Sequence, residues 1–266
     1  MSRKTYFLGG NTAEGFYSCY DGFCSHEDDN FLWVIKGGPG CGKSSFMRRI
    51  GKAAEEKGLD VDYVLCSGDP DSLDGVYIPA KKIGYVDGTA PHVIDPKYPA
   101  ISGLYLDLGQ FYDKDALKNC ADEIITINQR YKDLYADAYK LLAANAQGRN
   151  PAATKSRCCF LSAISCKGIV NLPAEPIFET ELRLLLKSIG KDDIVILHPL
   201  FPGEIIGIWK DGIPCCTSHA MPDCSDAVVL LGKAKKLHDE LESLYNPHVD
   251  FDKVYKLAQE HIEKYL

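Results

Sequence analysis

The segment Gly37-Gly38-Pro39-Gly40-Cys41-Gly42-Lys43-Ser44 has the spacing G-x-x-x-x-G-K-S. That pattern can cradle phosphate. Its glycines let successive backbone N–H groups turn inward around an anion, the lysine reaches the outer phosphate oxygens, and the serine hydroxyl ligates Mg²⁺ at a helix start. The expectation is that Gly37, Gly38, Pro39, Gly40, Cys41, Gly42, Lys43, Ser44 and Ser45 hold the phosphates of ATP, with Mg²⁺ as the accompanying ion. Lys43 then stabilises developing charge, and Ser44 supplies one metal ligand.

A second metal carboxylate is expected at the end of a neighbouring apolar strand. Asp87, closing Ile83-Gly84-Tyr85-Val86-Asp87, is assigned that metal-holding and catalytic role, with Asp107 in Leu104-Tyr105-Leu106-Asp107-Leu108 as the other choice. No glutamate follows Asp87, so hydrolysis by the chain alone is expected to be slow. His92, with Thr89 beside it, falls where a group sensing the γ-phosphate or positioning water would stand, and is taken as a catalytic residue; its alternative is a turn histidine bonded to backbone. The acidic run Asp69, Asp71 and Asp74 is read as an Asx-rich turn in preference to a ligand site. Cys215, Cys216, His219 and Cys224, and separately Cys19, Cys24 and His26, cluster without C-x-x-C spacing and are read as thiols, not a zinc site.

These residues need elements to place them. Phe31 to Gly37 reads as a strand buried on both faces, and Lys43 to Lys57 carries Phe46, Met47, Ile50, Ala53 and Ala54 at helical spacing before Gly58. Further strands are expected at 61–66 and 83–86, separated by a polar loop at 67–75, and a helix over 113–147 ends at Gly148-Arg149-Asn150-Pro151. The fold class is therefore α/β, a mostly parallel sheet flanked by helices of the P-loop NTPase type, with residues 1–150 as the nucleotide-binding domain.

Residues 151–266 are read as a degenerate α/β repeat. Phe7 to Phe16 aligns with Phe160 to Ile169 at an offset of 153, and from Phe46 against Phe178 to Gly75-Val76 against Gly207-Ile208 the offset is 132. The 21-residue difference falls where the glycine loop stands in the first half, and Ile169 to Pro176 offers no replacement.

With 266 residues, 45% hydrophobic content and a net charge of −7, the chain suits a globular protein and lacks the basic face that wraps nucleic acid. No apolar run approaches a membrane span, and the odd count of 11 cysteines suits a reducing compartment, so a cytoplasmic location without membrane contact is expected.

The glycine loop, Ser72-Leu73-Asp74-Gly75-Val76 and Asp87-Gly88-Thr89-Ala90-Pro91-His92 together resemble a poorly characterised family of bacterial P-loop ATPases built from two related halves. In that family both halves tend to carry a P-loop; here only the first does. The resemblance implies ATP as ligand and Lys43, Ser44 and Asp87 as site residues. The functional expectation is Mg²⁺-dependent ATP hydrolysis. Its rivals are a kinase passing the γ-phosphoryl group to a small-molecule acceptor, for which Arg149 and Arg157 are lid candidates, and a nucleotide-dependent switch that engages a protein partner.

Overall fold

The computed structural model describes residues 3–146, 157–190, 193–210, 212–216 and 223–266. In chain order its strands are β1 Arg3–Phe7, β2 Gly9–Thr12, β3 Gly15–Ser18, β4 Phe31–Lys36, β5 Val61–Leu65, β6 Leu73–Ile78, β7 Ile83–Asp87, β8 Gly103–Asp107, β9 Arg157–Cys159, β10 Ser162–Ser165, β11 Gly168–Asn171, β12 Glu175–Pro176, β13 Ile194–Leu197, β14 Ile205–Lys210 and β15 Ile213–Cys216. The helices are α1 Lys43–Glu56, α2 Lys114–Lys118, α3 Ala121–Ala144, α4 Glu179–Lys187, α5 Ser225–Tyr245 and α6 Phe251–Tyr265.

The protein is mixed α/β. A six-stranded sheet runs β1-β5-β6-β7-β4-β8, parallel at every pairing except the two made by β6. That antiparallel strand begins inside the segment expected to be a polar loop: Leu73 to Gly75 are already paired with β5. The long helix expected over 113–147 is interrupted at Asn119 and Cys120, where α2 gives way to α3, and its terminal break at 148–151 lies outside the described residues.

Period-two alternation sends the sheet's side chains to two cores. Trp33 and Ile35 of β4, Val61 and Tyr63 of β5, and Ile83 and Tyr85 of β7 pack with Phe46, Met47 and Ile50 of α1 and Val254 and Ala258 of α6. Their neighbours Val34, Val64 and Val86 point the other way, against Ile194, Ile196, Ile206 and Trp209 of a second sheet. α4 lies against β14 of that second sheet.

The second sheet runs β12-β15-β14-β13-β9. Taken from β9, its pairings are parallel, antiparallel, antiparallel and parallel, the series met from β1 through β5, β6 and β7 to β4. Both sheets have a register shift at corresponding points, Val64/Leu65 and Ile196/Leu197. The hairpins β2–β3 and β10–β11 also correspond residue for residue, Gly9 opposite Ser18 and Ser162 opposite Asn171. The sheets meet where Phe7 and Phe160 exchange backbone hydrogen bonds of 3.0 and 2.8 Å. Above them α3 packs along α5. Among the described residues no helix is long and apolar enough to cross a membrane.

Candidate functional site

The glycine loop lies between buried β4 and the N-terminus of α1. Three of its residues take positive φ, Gly37 at 152°, Gly40 at 66° and Gly42 at 89°, conformations that side chains with a Cβ disfavour. Crowding adds to the constraint: a Cβ on Gly37 would stand 2.5 Å from Cys41 Sγ, and one on Gly40 2.5 Å from Asn246 Oδ1. Gly42 is the N-cap of α1 and has no side chain to cap it, so the N-terminus of a 14-residue helix faces the loop. Elements from distant sequence buttress the loop. Tyr112 donates its hydroxyl to Pro39 O at 2.7 Å, while Phe251 and Val254 abut Gly42.

Lys43 emerges from the first turn of α1 and curls over the loop, donating to Gly37 O at 2.8 Å and Gly38 O at 2.9 Å. Its ammonium stands 3.6 Å from Asp87 Oδ2. Burial works against the lysine's charge, but the carboxylate of Asp87, with Cys41 and Asp74, outweighs it and holds the ammonium above its ordinary range. The Ser44 hydroxyl oxygen accepts the Leu73 N–H at 2.9 Å, tying the start of α1 to the start of β6.

Asp87 closes β7, the parallel neighbour of β4, and is buried. Its Oδ1 accepts from Thr89 N at 2.9 Å and from the Thr89 hydroxyl at 2.6 Å, which fixes the carboxylate's plane. Asp107 is placed differently. It is exposed at the end of β8, where Oδ1 accepts Gly109 N at 2.8 Å, and it makes a turn, not a partner for Lys43.

The acidic run divides. Asp69 makes the expected turn, accepting Asp71 N and the Ser72 hydroxyl, and Asp71 is exposed. Asp74, however, is buried within β6 and forms a group with Asp87 and His92 whose ligating atoms all lie within 4.8 Å of one another. Tyr20 donates its hydroxyl to Asp74 Oδ2 at 3.1 Å and stacks on the His92 ring at 4.9 Å and 15°. Burial pushes the Asp74 carboxyl up; His92 opposes the shift and Asp87 adds to it. His92 Nε2 stands 3.8 Å from Asp74 Oδ2, and neither ring nitrogen has a hydrogen-bond partner, so His92 is not a turn residue bonded to backbone.

Asp74 was legible in one respect. Leu73-Asp74-Gly75-Val76 aligns with Ile205-Ile206-Gly207-Ile208, so an isoleucine occupies its place in the second half, the mark of an inward-facing strand position. In the structure Ile206 is indeed buried.

α3 and α5 lie beside this edge of the sheet. Tyr131, Tyr135 and Tyr139 pack in series along α3, and His238 of α5 lies 5.8 Å from Tyr131. Burial lowers the affinity of His238 for a proton, and the charge of Lys43 is among the lesser contributors. Lys235 of α5 pairs with Asp69 at 3.4 Å, and Lys167 of the β10–β11 hairpin bonds Asp71. Arg157 lies at the seam between sheets, donating to the Tyr6 hydroxyl at 2.8 Å, while Arg149 and His219 fall outside the described residues. None of the eleven cysteines is joined in a disulfide.

The chain matches no family model, no curated protein and no solved structure.

Proposed function

We propose that the protein binds Mg²⁺·ATP at the glycine loop and hydrolyses it slowly. The observation that carries this reading is the meeting of Lys43, on the first turn of a helix entered through three positive-φ glycines, with Asp87 at the end of the adjacent parallel strand. Backbone donors and the helix dipole favour the phosphates, and Lys43 is one small rearrangement from moving its ammonium off the loop carbonyls onto their oxygens. The hydroxyl of Ser44 and the carboxylate of Asp87 are hard oxygen donors of the kind Mg²⁺ takes, and Asp74 adds buried negative charge beside them. Once bound, the ion would offset charge on the β- and γ-phosphates. Gly88 follows Asp87 where many ATPases keep a glutamate, and this absence of a base supports slow turnover.

Lys43→Ala tests the reading. Loss of a charge-assisted hydrogen bond of ~1.5–3 kcal/mol predicts roughly 10- to 100-fold weaker ATP binding by calorimetry, with hydrolysis falling in step. Unchanged affinity would refute the site.

The second half we read as a duplicate of the first that lacks the phosphate loop. The matching pairing series, the coincident register shifts and the paired hairpins support this. A switch reading gains support from the same half, since Lys167 and Lys235 grip the turn leading into Asp74. Partner capture that depends on ATP but not on turnover would favour it.

A further inference from the structure

Asp74, Asp87 and His92 form an arrangement that the phosphate-binding role does not require. We propose that these three side chains hold a divalent first-row transition ion, of the Mn²⁺ or Fe²⁺ class, in the absence of nucleotide. The inference deepens the nucleotide reading at the same edge of the sheet and shares Asp87 with it.

Two buried carboxylates are not by themselves a site, but His92 supplies an independent pointer. It is only 6% exposed, neither ring nitrogen has a hydrogen-bond partner, and Nε2 faces Asp74 Oδ2 across 3.8 Å. Leaving an imidazole nitrogen buried and unbonded costs ~1–3 kcal/mol, so such a group calls for a ligand. The gap is too long for a hydrogen bond and suits an ion between the two atoms. With metal–ligand bonds of about 2.1 Å, adjacent octahedral ligands lie ~3.0 Å apart and opposite ones ~4.2 Å. The observed separation lies between these limits, and the 4.8 Å bound on the group asks for only a small contraction.

Each ligand is held in place by a neighbour. Thr89 fixes Asp87 through one carboxylate oxygen, the Tyr20 hydroxyl fixes Asp74, and the Tyr20 ring fixes the plane of His92. Such outer contacts orient ligands before the ion arrives. The donor set decides the class of ion. An all-oxygen set suits Mg²⁺, whereas an imidazole among carboxylates favours transition ions. His92 thereby becomes a metal ligand rather than a sensor of the γ-phosphate.

The test is Mn²⁺ titration of the full-length, nucleotide-free protein, followed by calorimetry and electron paramagnetic resonance. One Mn²⁺ should bind at least tenfold more tightly than Mg²⁺, and electron spin-echo modulation should show coupling to an imidazole ¹⁴N. His92→Ala and the milder His92→Gln should remove the ¹⁴N coupling and weaken Mn²⁺ at least tenfold, with little change for Mg²⁺. Absence of ¹⁴N coupling in the unaltered protein, or equal affinity for the two ions, overturns the proposal without reliance on any variant. Lys43→Ala separates the two readings, because it should abolish tight ATP binding while retaining the Mn²⁺ signal. Retention of both ATP affinity and the Mn²⁺ signal would sink the nucleotide reading and leave the metal site standing.

Discussion

At the residue scale, the two strand-end aspartates separate by what their neighbours ask of them. Asp87 faces an ammonium and is clamped by Thr89, whereas Asp107 faces water and caps the turn at Gly109. Asp87→Asn is therefore expected to weaken Mg²⁺·ATP binding roughly 10-fold or more, the scale of a lost charge-assisted contact, while Asp107→Asn leaves it within twofold. Fluorescent-nucleotide titration of both variants checks this, and a larger loss from Asp107→Asn than from Asp87→Asn would move the choice to Asp107. His261 lies across the sheet from the site and carries a pH dependence of its own. Burial, with the charge of Lys264 assisting, holds it down at about 4 from an ordinary 6.5, and its neutral ring is bonded with the Tyr85 hydroxyl at 3.1 Å. The unfolded chain takes up this proton near 6.5 and the folded chain only near 4. Stability must then fall as pH drops between those values, by at most about 3 kcal/mol, and the loss levels off below them. Urea midpoints measured from pH 7 to 4 should show this slope, and His261→Phe should flatten it even though that variant is less stable throughout.

At the scale of elements, the loop, its strand and its helix could be read from sequence because each has a local cause. Glycines at fixed offsets set the turn, Phe31 to Ile35 make a strand buried on both faces, and α1 stops at Glu56, two residues before Gly58, whose left-handed φ of 75° turns the chain away. What could not be read locally was set by pairing. β6 looks polar at its start because Asp74 is spent on the site, and its antiparallel direction depends on β5 and β7, which sequence alone does not order. Likewise the α2–α3 break leaves apolar spacing intact on both sides. Gly40 and Gly58 make a controlled comparison, since both have left-handed backbones but only Gly40 is crowded. Gly58→Ala should cost ~1 kcal/mol of stability and leave ATP binding unchanged. Gly40→Ala carries the same strain and presses on Asn246 and the Glu242 carbonyl, so it should weaken ATP binding as well. Thermal unfolding and nucleotide titration of the pair distinguish strain from contact.

At the scale of the molecule, the two sheets share one interior. Asn11 sits at their seam, buried, donating to Ile164 O at 2.8 Å and Ser67 O at 3.3 Å and accepting the Tyr139 hydroxyl at 3.0 Å. Asn11→Ala should destabilise the whole chain by ~2–4 kcal/mol, because buried partners on β10, on α3 and in the loop after β5 are left unpaired. The only two tryptophans provide the readout, Trp33 in the first sheet and Trp209 in the second. Single-tryptophan variants made through Trp33→Phe and Trp209→Phe should report one common urea transition, and the Asn11 substitution should shift both equally. Separate midpoints would show the halves to unfold independently.

The packing of Val34, Val64 and Val86 against Ile194, Ile196 and Ile206 has a consequence for how such a chain can change over generations. A segment that carries none of the candidate loop is ordinarily dispensable, and deletion removes it. Here deletion would strand an oily sheet face in water and invite the remainder to clump, so the second half is retained by the insolubility of its absence.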